Sequence, residues 1–187
     1  MCGRYSLYST NKVKKKFGIH AKPNYNIAPG NKVITIDDRV LIKKITWGIN
    51  FPWLKNKTHI NARLESINSG SFYSNFKRCI FITDGYIEWK KNKDFKTPYF
   101  HYLKEGFIYI AGLYNKNGAI IITVQSSSKL NSIHQRQPLI IKNSHLTTWI
   151  QERKIVPINS DNIHFHKISN SINNSKNNEK NLLKKIN

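Results

Sequence analysis

The hydrophobic and polar positions along the chain favour strands over helices. Short apolar runs rich in β-branched and aromatic residues recur along the sequence, and turn residues separate them. Hairpin turns are indicated at Asp37-Asp38-Arg39 and at Asn117-Gly118. The runs predict strands over residues 3–8, 32–37, 40–49, 78–83, 86–91, 97–103, 107–114 and 119–126, with an Asp-Gly turn at 84–85.

Two segments have the spacing of a helix instead. Residues 9–19 place Val13 and Phe17 four positions apart behind an N-cap-like Ser9, and residues 144–152 begin at a capping Ser144. We find no internal repeat and no alternation of strands with helices. The sequence therefore predicts one α+β domain over residues 1–187, dominated by antiparallel sheet, with a basic polar tail from about 170 to 187 that is ordered only in part.

The charge of the chain suggests a polyanionic partner. Lys and Arg number 31 and Asp and Glu number 10, which gives a formal net charge of +21. Such a field attracts nucleic acid first. The alternative is that abundant Lys, Asn and Ile reflect an AT-rich genome, with the lysines on solvated faces. Arginine is the scarcer cation, with six residues, and Arg4, Arg63 and Arg136 fall in motifs that stand out on other grounds.

Other function classes find little support in the composition. No apolar run is long enough to span a membrane, and the N-terminal residues lack a signal-peptide core. We therefore expect an intracellular protein without a membrane partner. Cys2 and Cys79 are too few for a structural zinc site, and a disulfide is not expected inside the cell. No nucleotide-binding loop or metal ligand set is found, so no cofactor is predicted.

Cys2 follows the initiator methionine directly. Removal of Met1 would leave an α-amine and a thiol on neighbouring carbons. Such an amine is partly neutral at cellular pH and condenses with an aldehyde to an imine. The thiol, already held nearby, can close on the imine carbon to a thiazolidine ring. The alternative is that Cys2 is a small buried residue that begins a strand.

The segment "HINARLESI" carries a second group of polar residues. On an extended backbone Asn61, Arg63 and Glu65 would share one face, which suits recognition of a phosphate or sugar. The alternative is an edge strand with a polar side.

Glu88 and His134 are the candidates for proton transfer. Glu88 lies between Ile87 and Trp89 in an apolar strand, where burial would raise its pKa, although it could equally face solvent. His134 precedes an apolar strand and could shuttle protons, although a lone histidine is more often structural. Asp84 is interpreted as a turn residue rather than as a partner carboxylate.

Trp47 and Trp53 flank a loop that contains a proline, in a segment that also carries a basic residue. Exposed aromatic rings beside basic residues are typical of proteins that stack single-stranded bases. The alternative is that both rings fill the core.

Taken together and in order, these segments resemble the SOS-response-associated peptidase (SRAP) family. The motifs that carry the resemblance are "MCGRYSL", "YNIAPG", "WGINFPWLKN", "INARLESI", "RCIFITDGYIEW", "TPYF", "AGLY", "IHQRQP" and "HKISNSIN". The combination of "MCGR", "NAR-x-E", "DG-x-x-EW" and "H-x-R-x-P" is specific. The fold that the resemblance implies is twisted antiparallel sheets in a barrel-like arrangement with peripheral helices.

The resemblance also implies an activity. Members of the family protect abasic sites in single-stranded DNA during the DNA damage response, through a thiazolidine crosslink between the N-terminal cysteine and the sugar aldehyde. They also remove their own leading methionine. The partner implied is single-stranded DNA with abasic sites, together with replication-fork proteins. We expect a monomer in the cytoplasm, on the nucleoid when bound to DNA, or in the nucleus of a eukaryotic host.

By resemblance, the residue roles divide into two sets. The expected catalytic residues are Cys2, Asn61, Glu88 and His134. The expected DNA-binding residues are Arg4, Trp47, Trp53, Arg63 and Arg136.

Two departures from the family pattern affect these expectations. Gln137 replaces a usual methionine beside His134, and the tryptophan loop reads "WGINF" with its proline only at Pro52. The first could alter packing below His134, and the second could change the loop's DNA contacts. A thiol peptidase acting on other proteins, or a noncatalytic single-strand binder, remain the alternative functions.

Overall fold

Antiparallel strands make up most of the regular structure in the computed structural model, which describes residues 2–53, 57–69 and 71–187. Over these residues the strands are β1 (Arg4–Leu7), β2 (Asn24–Ile27), β3 (Lys32–Ile36), β4 (Ile42–Thr46), β5 (Ile49–Asn50), β6 (Thr58–His59), β7 (Asn61–Arg63), β8 (Lys77–Thr83), β9 (Gly85–Lys91), β10 (Lys96–Tyr102), β11 (Ile108–Asn115), β12 (Gly118–Gln125), β13 (Arg136–Pro138) and β14 (His164–Lys167).

The longer strands form two sheets. One has five strands in the order β14-β10-β9-β1-β2, and the other has seven, with β13-β12-β11-β8-β3-β4 in sequence and β7 beside β12. Every described pair in these two sheets is antiparallel except β7 with β12. The predicted α+β class with mostly antiparallel sheet is confirmed. No closed barrel is found among the described strands, so the barrel-like arrangement stays a prediction.

The link between β8 and β9 carries the chain from one sheet to the other. Gly85 is required there, because a Cβ atom at this position would lie 2.5 Å from the His101 carbonyl oxygen. The Asp84 carboxylate accepts hydrogen bonds from the backbone N–H groups of Tyr8 and Ser9, at 2.6 and 2.8 Å. Asp84 thus ties the sheet crossing to the start of the first helix, which agrees with its interpretation as a turn residue.

Helices are short and peripheral. Those described are α1 (Thr10–Phe17), α2 (Leu64–Ser69) and α3 (Ser128–Asn131). Helix α1 buries Val13 and ends at Gly18, whose φ of 68° lies in the left-handed region that favours glycine. The segment predicted as a helix over 144–152 is helical but irregular, with a 3₁₀ turn over Asn143–His145 and a π-helix over Thr148–Glu152. The predicted cap at Ser144 is wrong, because this residue lies inside the 3₁₀ turn.

The five-stranded sheet separates two hydrophobic clusters. Because side chains alternate along a strand, Tyr86 points into the main core, whereas Ile87 packs on the opposite face with Phe100. Leu182 and Leu183, from a tail that is otherwise polar, complete this second cluster. The alternation also places the side chain of the next residue, Glu88, on the main-core side.

Residues 168–187 cover the outer face of the five-stranded sheet. Asn26 fastens this segment, since its Nδ2 lies 3.2, 3.0 and 2.9 Å from the carbonyl oxygens of Ile172, Asn174 and Asn177. 3₁₀ turns span Asn170–Asn173 and Lys180–Leu183. Across the described ranges, no helix combines the length and apolarity needed to cross a membrane.

Candidate active site

Cys2 lies immediately before β1 and is fully buried. Asn61 holds the backbone here, because its Nδ2 donates a hydrogen bond of 2.9 Å to the Cys2 carbonyl oxygen. Burial is the main cause that raises the pKa of the Cys2 thiol, and the charge of Glu88 raises it further. The sulfur of Cys2 is therefore a protonated thiol at neutral pH.

The register between β9 and β1 places Glu88 beside Cys2. Strand β9 lies beside β1 with Ile87 opposite Arg4, so Glu88 stands across from Gly3, next to Cys2. Only 3% of Glu88 is exposed. Burial raises the pKa of its carboxyl group to about 7. A carboxyl with that pKa can both give and accept a proton near neutral pH.

A cleft of about 470 Å³ brings together Glu88, which lies on β9, and His134, which lies in the loop before β13. His134 Nδ1 lies 2.9 Å from the backbone nitrogen of Arg136 and 3.0 Å from its carbonyl oxygen, which fixes the ring. Partial burial is the first cause that lowers the pKa of His134, so the neutral imidazole is favoured at pH 7. The cleft therefore contains two groups suited to proton transfer.

Four further residues line this cleft, and sequence reasoning missed them: Trp89, Lys91, Lys96 and Asn173. Trp89 Nε1 donates a hydrogen bond of 2.8 Å to Asn173 Oδ1, which joins β9 to the C-terminal segment. The two lysines add positive charge beside Glu88. The pairing of β9 with β10, which sets Lys91 opposite Lys96, would have indicated that they lie together.

The polar residues of "NARLE" do not share one extended face, so that prediction is wrong. Asn61 and Arg63 lie on β7, but helix α2 begins at Leu64 and carries Glu65. Asn61 is buried and Arg63 is exposed. Strand β7 ends at Arg63, which pairs with Thr123 of β12, and helix α2 begins at the next residue.

Two of the three candidate phosphate ligands already have protein partners. Arg4 is half-buried and its Nη1 donates hydrogen bonds to Asn26 Oδ1 at 2.7 Å and to the Ile172 carbonyl oxygen at 3.1 Å. Arg136 makes a two-pronged ion pair with Glu65, at 2.8 and 2.9 Å. Arg63 is the exposed member of the set.

The two tryptophans have different surroundings. Trp47 has no exposed surface: its ring packs against Tyr5 and Phe81, and its Nε1 donates to the Ile60 carbonyl oxygen at 3.1 Å. A buried ring offers no face to a base, so the structure contradicts a stacking role for Trp47, and the core alternative holds. Trp53 is 65% exposed and stacks on Phe51 with a centroid separation of 5.0 Å.

Gln137, which departs from the family pattern, is accommodated by hydrogen bonds. Its Oε1 accepts from the backbone N–H of Ser127 at 2.9 Å, and its Nε2 donates to Ser160 Oγ at 3.3 Å. The amide thus fastens the loop before α3 instead of disturbing the strand below His134.

The fold and this buried cysteine–carboxylate arrangement can be compared with known proteins. The family model for SOS response associated peptidase (SRAP) matches residues 1–175, and the chain belongs to this family. The abasic site processing protein YoaM of Bacillus subtilis is 28% identical, over 100% of this chain and 99% of that protein. The abasic site processing protein YedK of Escherichia coli is 27% identical, over 81% of this chain and 80% of that protein.

A solved structure supports the fold. The X-ray structure of a Bacteroides thetaiotaomicron protein superimposes with a TM-score of 0.82 and covers 99% of this chain and 100% of that one. The two sequences are 20% identical, so this match concerns the fold alone.

Proposed function

We propose that the mature protein forms a thiazolidine crosslink between Cys2 and the ring-opened sugar of an abasic site in single-stranded DNA. The relatives named above are abasic site processing proteins, which supports abasic-site DNA as the partner. The observation that carries the chemistry is the placement of Glu88, buried on the strand beside Cys2, in one cleft with His134.

Hydrolysis of the Met1–Cys2 bond is the first step of the proposal, because it turns an amide nitrogen into a primary amine. Asn61 is suited to support this step, since it donates to the carbonyl oxygen of Cys2 and so fixes the direction of the first residues. Intact mass would report the loss of Met1.

The crosslinking steps balance as a condensation. The Cys2 amine adds to the aldehyde carbon and gives a carbinolamine. Glu88 or His134 protonates its hydroxyl, which leaves as water and yields an imine. The Cys2 sulfur then bonds to the imine carbon, and the thiol proton is transferred to the nitrogen. One water is released overall, and no oxidant or reductant is needed.

A carboxyl near pKa 7 fits both halves of this sequence. Opening the closed sugar and expelling water need an acid, whereas the attacking amine and thiol need a base. Burial supplies Glu88 with the intermediate pKa. The protonated state of the Cys2 thiol also fits, because the imine forms through the amine before the sulfur reacts.

DNA binding is proposed to use the exposed cations and the exposed ring. Arg63 and the cleft lysines Lys91 and Lys96 are suited to phosphates, and Trp53 is suited to stack on a base. Arg4 and Arg136 are proposed to shape the site through their protein partners. Arg136 can bind a phosphate only after its ion pair with Glu65 is broken.

Incubation with a uracil-containing strand, with and without uracil glycosylase, tests the proposal on a denaturing gel. We expect a heat-stable adduct only after the base is removed, and none with Cys2→Ala. Cys79→Ala is the matched control, since Cys79 is also buried and free, and it should retain the adduct.

Acetylation of the mature α-amine separates the alternatives. Imine chemistry is abolished by this change, whereas a thiol peptidase acting on other proteins retains its activity. An unchanged adduct yield after acetylation, or with Cys2→Ala, would show that the thiazolidine mechanism is wrong. Equal binding of intact and abasic strands without any adduct would favour the alternative of a noncatalytic single-strand binder.

A further inference from the structure

A second cavity, of about 450 Å³, lies apart from the candidate active site and shares no lining residue with its cleft. Three basic side chains line it: Lys77, Arg78 and Arg153. Asp38 is the only acidic residue in its lining. The residue types therefore indicate a place for an anion.

The negative charge of Asp38 is already neutralised by an ion pair with Lys77. Lys77 Nζ lies 3.0 Å from Asp38 Oδ2, and the Tyr114 hydroxyl donates a hydrogen bond to Asp38 Oδ1. Within the described ranges, no ion pair involves Arg78 or Arg153. Two guanidinium groups thus line one cavity without a carboxylate partner.

Arg78 is held in place before any ligand arrives. Its guanidinium carbon lies 3.9 Å from the ring centroid of Trp149, and its Nη1 donates to the Trp149 carbonyl oxygen at 3.3 Å. Partial burial, followed by the nearby charge of Arg153, lowers the pKa of Arg78 to about 10. An anion between the two guanidinium groups would relieve that repulsion.

Aromatic rings connect this cavity to the exposed tryptophan. Tyr73 and Phe76 line the cavity. The ring of Phe72 lies 6.2 Å from that of Phe76 and 6.0 Å from that of Trp53. Phe72 is 44% exposed and Trp53 is 65% exposed, so stacking surface and cationic cavity are continuous. Alternation of rings and cations is the usual design of single-strand binding surfaces.

We propose that this cavity binds a backbone phosphate of single-stranded DNA away from the lesion, while neighbouring bases stack on Trp53 and Phe72. This inference rests on the proposed function for its ligand and extends it to a longer binding track. The guanidinium pair supplies a two-sided clamp for a phosphate, and the net charge of +21 draws the strand to the protein.

Arg153→Asn is the sharpest test. Arg153 has a φ of 59°, and asparagine adopts that left-handed conformation more readily than most residues, so the backbone is preserved. Arg78→Gln is less suitable, since it also removes the contact with Trp149. Lys104→Gln is the matched control, because Lys104 is exposed and lines neither cavity.

Fluorescence anisotropy with an intact, undamaged strand of about 20 nucleotides measures the effect. We expect Arg153→Asn to weaken binding about threefold to tenfold at low salt and to reduce the slope of log affinity against log salt by about 0.7. Adduct formation with an abasic strand of about three nucleotides should keep the wild-type rate, because so short a strand offers little backbone beyond the lesion.

Three results would overturn the assignment. The first is a loss of affinity no greater than that of Lys104→Gln. The second is an equal slowing of the short abasic strand, which would place Arg153 in the active site. The third is calorimetric binding of inorganic phosphate that Arg153→Asn removes while the affinity for DNA is unchanged, which would assign the cavity to free phosphate. Absence of any adduct in the wild-type protein would instead refute the proposed function, since the anisotropy uses undamaged DNA.

Discussion

Two glutamates of this chain occupy opposite environments. Glu88 lies inside the molecule beside Cys2, and burial raises its pKa to about 7. Glu65 lies on the surface, with 62% of its side chain exposed, and its hydrogen bonds with Arg136 lower its pKa to about 2. The same functional group is therefore partly protonated at neutral pH in one region and fully charged in the other.

This difference separates a chemical role from a structural one. A carboxylate with a guanidinium partner keeps its charge and orders the surface, as Glu65 does for Arg136. A carboxylate withdrawn from water exchanges its proton readily at neutral pH, which proton-transfer chemistry needs. Membership of a family motif does not decide whether a glutamate has a chemical or a structural role, because both Glu65 and Glu88 lie in such motifs.

The largest expected effect concerns catalysis. Glu88→Gln removes the exchangeable proton and should slow adduct formation about 100-fold to 10,000-fold. Glu65→Gln is the comparison and should change the rate much less, because it alters only the contact that orients Arg136. Gel-based single-turnover rates with abasic DNA measure both. Equal rates for the two variants would mean that the buried carboxylate takes no part in the chemistry.

The next effect concerns stability between about pH 4.5 and 7. Because the folded-state pKa of Glu88 is raised, its contribution is fully present below the ordinary pKa of 4.5 and is lost as pH rises through 7, a change of about 3 kcal/mol. The Glu88→Gln variant lacks this titration, so its free energy of unfolding should not fall over that interval. As pH rises, the difference in stability between the two proteins should therefore shift in favour of the variant. Urea unfolding at a series of pH values measures it. Parallel curves would show that Glu88 is solvated.

The smallest effect has the opposite direction in pH. The folded-state pKa of Glu65 is lowered, so the stability from its ion pair is present above pH 4.5 and is lost as pH falls towards 2. An exposed pair of this kind contributes about 0.5–1 kcal/mol. Glu65→Gln should therefore be slightly less stable than wild type at pH 7 and equal to it at pH 2. A deficit that persists at pH 2 would show that packing, not charge, is responsible.

Local pattern was sufficient for most strands, but it left open whether Glu88 faces the core or solvent. Alternation in "GYIEWKK" fixes which residues share a face, and the structure shows that Tyr86 and Glu88 lie on the main-core side. The hairpin predicted at Asn117-Gly118 is confirmed with its turn one residue earlier, because Asn115 pairs with Gly118 and the turn residues are Lys116 and Asn117. Such features depend on neighbours in sequence.

Features that depend on distant partners were not predictable. Asn61 and Glu65 are separated because β7 finds a parallel partner in β12, which no local pattern reveals. Trp47 is buried against Tyr5 and Phe81, whereas Trp53, six positions later, is exposed. The composition of the two segments is similar, and only tertiary packing distinguishes them.

The second hydrophobic cluster has a consequence for where this domain ends. The family match stops at residue 175, yet Leu182 and Leu183 lie beyond it and cover Ile87 and Phe100. Trimming the chain to the family boundary would leave an apolar surface on the back of the strand that carries Glu88. For this protein, the boundary suitable for expression and crystallisation lies past Leu183, and the family model alone would place it too early.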